Sequence, residues 1–568
     1  MKRTVALVGA LLFSANHAGA FTIPSSALSR SLIAKSIMPG PTTSASWNSK
    51  GLKMSDVVAG EDPLFEPLGV GIKRDISTRL PHFKSDITDG FNLQCLAAIM
   101  FLFFACLAPA VGFGGLFSIA TNGAIGTMEM VSSTAACGVI YALTAAQPLT
   151  IIGSTGPVLA FVACLVQLAS IMSLPFLPLY TWTGLWTAAI LFISSITSAS
   201  NLVKYLTRFT DEIFSVLISA IFIVEAVSDV SATFSSPSSN FAKALLTLTL
   251  TTVTYATSTF LKGLRNTAYL SKSARDTISN FAPTIGVVVA SLIAKWARVT
   301  HGPGIAGLPS LSLPATFAST SGRPWLVPLM ELPVWARWAS IIPALMATVL
   351  LFLDQNITVR VVNNPRYKMT KGRRLGNVLD GMHADMLVIS ILTALQSLIG
   401  FPWLVAATVR SISHVRALSK FDEKTGEISG SIEQRVTGTA IHALIGCCVL
   451  LPKPRALLTQ VPLPVLMGLF MYLGVSALPG NEMWERITGF FKDSAVAPKQ
   501  PWTDKVPTKI VNLFTMIQVA CLGAMFYVKS SSFGVLFPVV IAMLAPLRFA
   551  LEKTGLVKKE YIDILDDE

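Results

Sequence analysis

The chain has 568 residues, of which 52% are apolar and only 13% charged, where an ordinary soluble protein carries about 25% charged residues. A bilayer suits that composition. Apolar runs long enough to cross about 30 Å of hydrocarbon recur from residue 92 to 551, with no soluble-domain-sized stretch between them. The net charge of +13 does not indicate a nucleic-acid partner, because the basic residues sit in short loops between apolar runs, where membrane orientation places them.

Residues 1–20 have the pattern of a secretory signal peptide: Lys2-Arg3, an apolar stretch from Val5 to Phe13, then Ala18-Gly19-Ala20. Residues 21–55 are rich in Ser, Thr and Ala and carry no acid before Asp56, the composition of a disordered transit peptide. Together they resemble the two-part presequences used for plastid import, which points to a plastid envelope, with the plasma membrane as the alternative. Residues 56–90 read as an N-terminal soluble segment.

Hydropathy then predicts an all-α polytopic membrane protein of about fourteen segments, seven in each half. The first set is expected near 92–113, 129–146, 156–173, 180–199, 209–231, 240–260 and 279–296, within a first membrane repeat over 91–300. After an inter-repeat loop over 301–338, the second repeat covers 339–551. Its helices are expected near 339–360, 383–400, 406–417, 436–451, 462–478, 508–529 and 531–551. A C-terminal tail follows over 552–568, its acidic end Asp563–Glu568 expected to be solvated. Lys204 and Arg208, then Lys262, Arg265, Lys272 and Arg275, then Arg360 through Arg374 fall in alternate loops, whereas the Ser228–Asn240 loop has no Lys or Arg. That asymmetry puts both termini on one basic face. All seven cysteines lie in apolar runs without CxxC spacing and read as packing residues.

Two helices look short, and each follows a proline-containing break: Gln147-Pro148 before Gly153-Ser154-Thr155-Gly156-Pro157, and Phe401-Pro402 before Ala406-Ala407-Thr408-Val409-Arg410. They hold the third position of each half. Paired interrupted helices in corresponding places mark a transporter's binding site. Non-helical backbone at that depth survives only where it lines a cavity or is buried in protein. A half-helix begins with unpaired N–H groups and a partial positive charge, so two of them aimed at one centre predict an anionic substrate.

Several stretches carry a family resemblance: PAVGFGG (109–115), AQPLTIIGSTGP (146–157), TDEIFSVLISAIFIVE (210–225), FLDQNIT (352–358), PWLVAATVRSISH (402–414), EQRVTG (433–438) and MYLGVSA (471–477). In this order they resemble the bicarbonate transporter family, which includes the red-cell anion exchanger, the sodium-bicarbonate cotransporters and the plant borate exporters. The resemblance, from about Phe91 to Arg548, implies two inverted repeats forming a core bundle that moves against a gate. It also implies a homodimer in the lipid bilayer, with bicarbonate or a related small anion as substrate, carried by exchange or by Na+ coupling. Borate transport and a non-transporting membrane sensor are the alternatives.

Site residues follow position by position. The resemblance places substrate at Thr155 and Gly156, at Ala407, Thr408 and Val409, and at Arg410, where exchangers have their substrate-site arginine. A guanidinium can grip a planar oxyanion with two parallel bonds. Asp354 stands where sodium-coupled members have Asp, and Thr358 lies one turn later on the same helix face. The two are hard oxygen ligands suited to Na+ or to a proton-coupled step. No other cofactor and no further metal site is expected. Whether Arg410 neutralises Asp354 leaves coupling open. Lys529 matches a lysine on the anion pathway, Glu129 and Glu225 read as structural, and His383 and Asp385 read as helix-capping residues. Ser154, Val162 and Ala163 depart from the family, which often has Phe at the first position and two acids at the others. No Walker P-loop, HExxH, G-x-S-x-G or EF-hand pattern appears, so neither ATP-driven pumping nor hydrolytic enzyme chemistry has a motif to rest on.

Overall fold

The computed structural model describes residues 64–566 apart from 206, 236–239, 311–316, 373–379, 423–427, 459, 493–501, 503–504, 532–536 and 556. The signal and transit segments, Arg373 and Arg374 therefore lie outside the described residues, as does the side chain of Lys529.

Two short helices open the chain, α1 (Val70–Arg79) and α2 (Phe83–Thr88). The first long helix, α3 (Leu93–Ala120), starts where Asn92 accepts a bond from Cys95 N at 2.8 Å. That side chain satisfies one of the four N–H groups a helix start leaves open. Next come α4 (Thr127–Thr144), the two-residue strand β1 (Ile152–Gly153) and α5 (Gly156–Ile171). Pro157 sits in the first turn of α5, where a missing N–H costs nothing. The first half closes with α6 (Phe176–Ile196), α7 (Arg208–Ser235), α8 (Phe241–Gly263) and α9 (Lys272–Ala306).

A loop carrying α10 (Val334–Ala339) leads to α11 (Ile341–Val362), α12 (Met382–Ile399), the strand β2 (Val405–Ala406) and α13 (Thr408–Leu418). A hairpin of β3 (Ser419–Phe421) and β4 (Ile428–Ser431) precedes α14 (Val436–Leu450), α15 (Pro452–Leu458), α16 (Leu463–Ala477) and α17 (Glu482–Gly489). The chain finishes with α18 (Thr508–Ser530), α19 (Phe537–Ala542), α20 (Leu544–Lys553) and α21 (Lys559–Asp566).

Each of the fourteen expected segments has a helical counterpart, yet only eight described helices are long and apolar enough to cross a bilayer. The shortfall has local causes. α5, α13, α14 and α16 have only 16, 11, 15 and 15 residues, α4 with 18 residues falls outside the apolar set, and the segment expected over 531–551 is divided at Met543 into α19 and α20. Two bundles are evident from the packing. In one, α4 packs on α14, α6 on α11 and α12, and α3 on α4 and α14; in the other, α7, α8 and α9 pack with α16 and α18. These are the core and the gate.

The stretch expected as a soluble segment is, from Leu64 onward, helical and docked on the core. Asp75 of α1 accepts from Gly381 N, His383 N and Ala384 N at 3.1, 3.0 and 3.1 Å and so caps the start of α12. Burial pushes its carboxyl up to about 7 although these N–H groups favour the anion. The capping role expected of His383 and Asp385 thus falls to Asp75, because α12 begins at Met382 and those two residues already lie inside its first turn. The acidic end is likewise not wholly a solvated tail in its described part, through Asp566, although Asp563 is exposed. α21 docks on the gate, where Asp566 is buried and accepts from Phe209 N at 2.6 Å and from Arg548 Nε at 2.7 Å.

Candidate functional site

The two breaks meet. β1 and β2 pair antiparallel, Ile152 opposite Ala406 and Gly153 opposite Val405, as an inverted repeat requires of corresponding strands. Neither Thr155 nor Ala407, the residues before the half-helices, caps its helix with a side chain. The first turns of both half-helices therefore keep N–H groups that no side chain of the residue before them caps. Both breaks also reach α11, one turn apart. Thr155 Oγ1 donates to Asp354 Oδ2 at 3.2 Å, and Thr358 Oγ1 lies 2.7 Å from Thr408 Oγ1. Asp354 and Thr358, expected as a joint ligand pair, are instead divided, one to each half-helix.

Arg410 is 3% exposed. Its Nη2 donates to Ser154 O at 2.8 Å, so the second half-helix reaches across to the first break. Beside the Cys106 thiol of α3, neither Nε nor Nη1 of Arg410 has a hydrogen-bond partner among the described residues, and the Ser154 hydroxyl has none either. No ion pair joins Arg410 to Asp354 among the described residues, so the direct neutralisation weighed from sequence does not occur. A buried guanidinium with two unused donor nitrogens beside two positive helix ends has the charge and the hydrogen-bonding capacity to meet an anion.

Gly153 makes this possible. A Cβ on Gly153 would collide with the Arg410 guanidinium. Sequence reading names Gly153 within the first break but gives it no role, because its closeness to Arg410 joins residues far apart in the chain.

Further residues hold the breaks open. Ala407 N donates to Ile151 O at 2.8 Å and Ile151 N to Ser411 Oγ at 2.9 Å. Asp385 accepts from Ala146 N at 2.6 Å, from Gln147 N at 3.2 Å and from Tyr141 OH at 3.1 Å. Tyr141 OH accepts in turn from Gln355 Nε2 at 2.9 Å, and Gln355 Oε1 accepts from Ala406 N at 3.0 Å. This relay ties one break to the other through α4, α11 and α12. His414 bridges Leu149 O at 2.8 Å and Thr437 Oγ1 at 2.5 Å. Around the second break, Trp403 stacks on Tyr180 at 4.5 Å and donates to Ser397 Oγ at 2.8 Å.

The remaining predicted residues are dispersed. Gly156 opens α5, and Ala407, Thr408 and Val409 are buried at the start of α13. Lys529 lies on α18 of the gate, away from the breaks in the chain. Glu129 is structural: it accepts from Gly126 N at 2.9 Å and Thr320 N at 2.8 Å, closing the start of α4. Glu225 is exposed on α7, while Val162 is buried on α5.

Residues 66–244 and 235–568 match a family model described as the HCO3- transporter integral membrane domain. The Band 3 anion transport protein of Homo sapiens is 33% identical over 554 residues, covering 92% of this chain and 59% of that protein. Anion exchange protein 3 of Mus musculus is 33% identical over 542 residues, covering 88% of this chain and 43% of that one. The chain thus spans about half the length of the curated relatives it matches. Among solved structures, the murine Solute Carrier 26 family member A9 anion transporter in its inward-facing state superposes with a TM-score of 0.48 and 13% identity. It covers 84% of this chain and 71% of that one.

Proposed function

Because the chain belongs to the HCO3- transporter family, we propose that it is a secondary transporter of small inorganic anions, foremost bicarbonate, working by alternating access. The observation that carries this reading is Arg410: fully charged, buried, and left with two unused donor nitrogens where two half-helix N-termini converge. In the proposal, Arg410 and the N–H groups of Thr155, Gly156, Thr408 and Val409 hold the anion, with Ala407, whose N–H is bonded to Ile151 O, fixing the start of the second half-helix beside it. Rocking of the core against the gate then exposes the site to one face and then the other. Lys529 draws anions toward the pathway.

Anion exchange is the coupling favoured by the positive site. A Na+-coupled or H+-coupled cycle is the second reading. Asp354 supports it, since its hydrogen bond is to the neutral Thr155 hydroxyl and not to Arg410. Borate, another small oxyanion, fits the same donors. The proposal extends to a homodimer, and the two-part presequence supports a plastid envelope, where such a carrier would supply inorganic carbon.

The test is uptake of labelled bicarbonate into liposomes holding the purified protein, with and without Na+, with and without internal Cl-, and with borate as competitor. Uptake that depends on internal Cl- and ignores Na+ identifies exchange; Na+-dependent uptake identifies the second reading. Competition by borate extends the substrate class. Absence of flux of any of these anions contradicts the proposal.

A further inference from the structure

The polar side-chain contacts described between core and gate gather on the basic face. Arg360, at the end of α11 and less than two turns beyond Asp354, pairs through Nε with Asp211 Oδ2 of α7 at 3.0 Å and donates from Nη1 to Val203 O at 2.9 Å. This ion pair is largely buried, with side chains 6% and 16% exposed. Two more arginines of the core grip the C-terminal end of α16 in the gate. Arg416, in the last turn of α13, donates to Ser476 O and, at 2.5 Å, to Pro479 O. Arg366 donates to Gly480 O and is braced from behind by Tyr367, whose OH lies 2.7 Å from Nη2. Arg265 of the gate lies over the Phe421 ring of the core hairpin at 5.3 Å.

On the opposite face the described gate contacts are backbone bonds from the inter-repeat loop, Leu463 N to Pro309 O at 2.9 Å and the bridge between Ser310 and Pro462.

The chemistry of the basic-face contacts is specific. The Ser476 carbonyl in the last turn of α16 lies at the negative end of the helix dipole, where the Arg416 guanidinium complements it, while the Pro479 and Gly480 carbonyls just beyond the helix take the remaining bonds of Arg416 and Arg366. The bonds of Arg360 to Asp211, of Arg416 to Ser476 and Pro479, and of Arg366 to Gly480 bridge the two bodies. Swinging the core away from α7 and α16 on this face must break them together, and a charge left buried without its partner is strongly unfavourable. We propose that Arg360, Arg366 and Arg416 form a latch that closes the basic face between core and gate, and so act as positioning residues for the opening of the anion site to that side. This rests on the alternating-access reading above, and its readout does not.

The experiment is hydrogen–deuterium exchange on the purified full chain in detergent, without added anion. It compares wild type with Arg360→Gln, with Arg366→Gln plus Arg416→Gln, and with the charge exchange Asp211→Arg plus Arg360→Asp. Exchange at residues 207–212 and 473–481 is expected to quicken by about tenfold or more in the first two variants. Residues 462–465 and the α4 and α14 segments should keep wild-type rates. The charge exchange should return 207–212 toward the wild-type rate, which a merely space-filling role would not do. Unchanged exchange at both segments, or an increase spread equally over α4 and α14, overturns the latch. Wild type with no anion flux but this exchange pattern would remove the transport reading and keep the latch. Normal flux with unchanged exchange would remove the latch alone.

Discussion

The two breaks share a backbone and differ in chemistry. Each runs from a proline through a two-residue strand into a half-helix, and the strands pair with each other. The first break presents N–H groups, the Ser154 hydroxyl and the Thr155 hydroxyl, which it gives to Asp354, but no charged side chain. The second adds a fixed cation, Arg410, and turns Thr408 toward Thr358. The repeated backbone thus supplies two helix N-termini, while only the second repeat adds a buried cation beside them. The supports differ in the same way: the first break hangs on the Asp385 carboxylate, whereas the second is held by neutral groups, with Leu404 N donating to Gln396 Oε1 at 3.3 Å.

This asymmetry can be broken at four paired positions. Arg410→Ala is expected to cut bicarbonate flux by at least ~100-fold, the scale of losing charge-assisted bonds to a buried anion. Gly156→Ala, which touches the first half-helix without removing charge, should cost much less in the same liposome assay. Equal losses would move the anion away from Arg410.

Asp385→Ala should lower stability by about 2–4 kcal/mol, since three donors lose a buried charged acceptor. Gln396→Ala should cost about 1–2 kcal/mol as a lost neutral partner. Thermal unfolding in detergent compares them, and a larger effect at Gln396 would refute the charged-versus-neutral contrast.

Gly153→Ala should cost about 1–3 kcal/mol through the collision with Arg410. Its strand partner is expected to be more tolerant, with Val405→Ala costing at the low end of that range. A harmless Gly153→Ala would show that the guanidinium can move aside.

The smallest effect is expected for the hydroxyls, where Thr358→Val and Thr155→Val should each change flux only several-fold, as for a hydrogen bond of about 1 kcal/mol. Thr155→Val should act on any Na+ dependence more than Thr358→Val, because only Thr155 bonds the carboxylate. Identical Na+ curves for the two would separate Asp354 from cation coupling.

Much of this architecture was legible in the amino-acid order. Apolar runs placed the long helices because the bilayer imposes a length on each segment, and proline breaks placed α5 and α13 because a proline cannot continue a helix through them. Arg410, Asp354, Thr358 and Thr155 were found from motifs local in the chain. What stayed hidden depends on contacts between distant residues. Asp75 capping α12, Asp385 bonding Ala146 and Gln147, and Asp566 bonding Phe209 each join residues more than two hundred positions apart. An acidic tail looks solvated until an arginine elsewhere is seen to meet it. The necessity of Gly153 emerges only once Arg410 is known to lie across it.

The central claim is that the paired helix ends and Arg410 together hold a small anion. Nuclear magnetic resonance of carbon-labelled bicarbonate in the presence of the purified protein tests it without requiring transport. Saturable line broadening that disappears in Arg410→Ala but persists in Thr358→Val is the predicted result. Broadening of equal strength in Arg410→Ala, in a variant that unfolds at the same temperature as wild type, would contradict it.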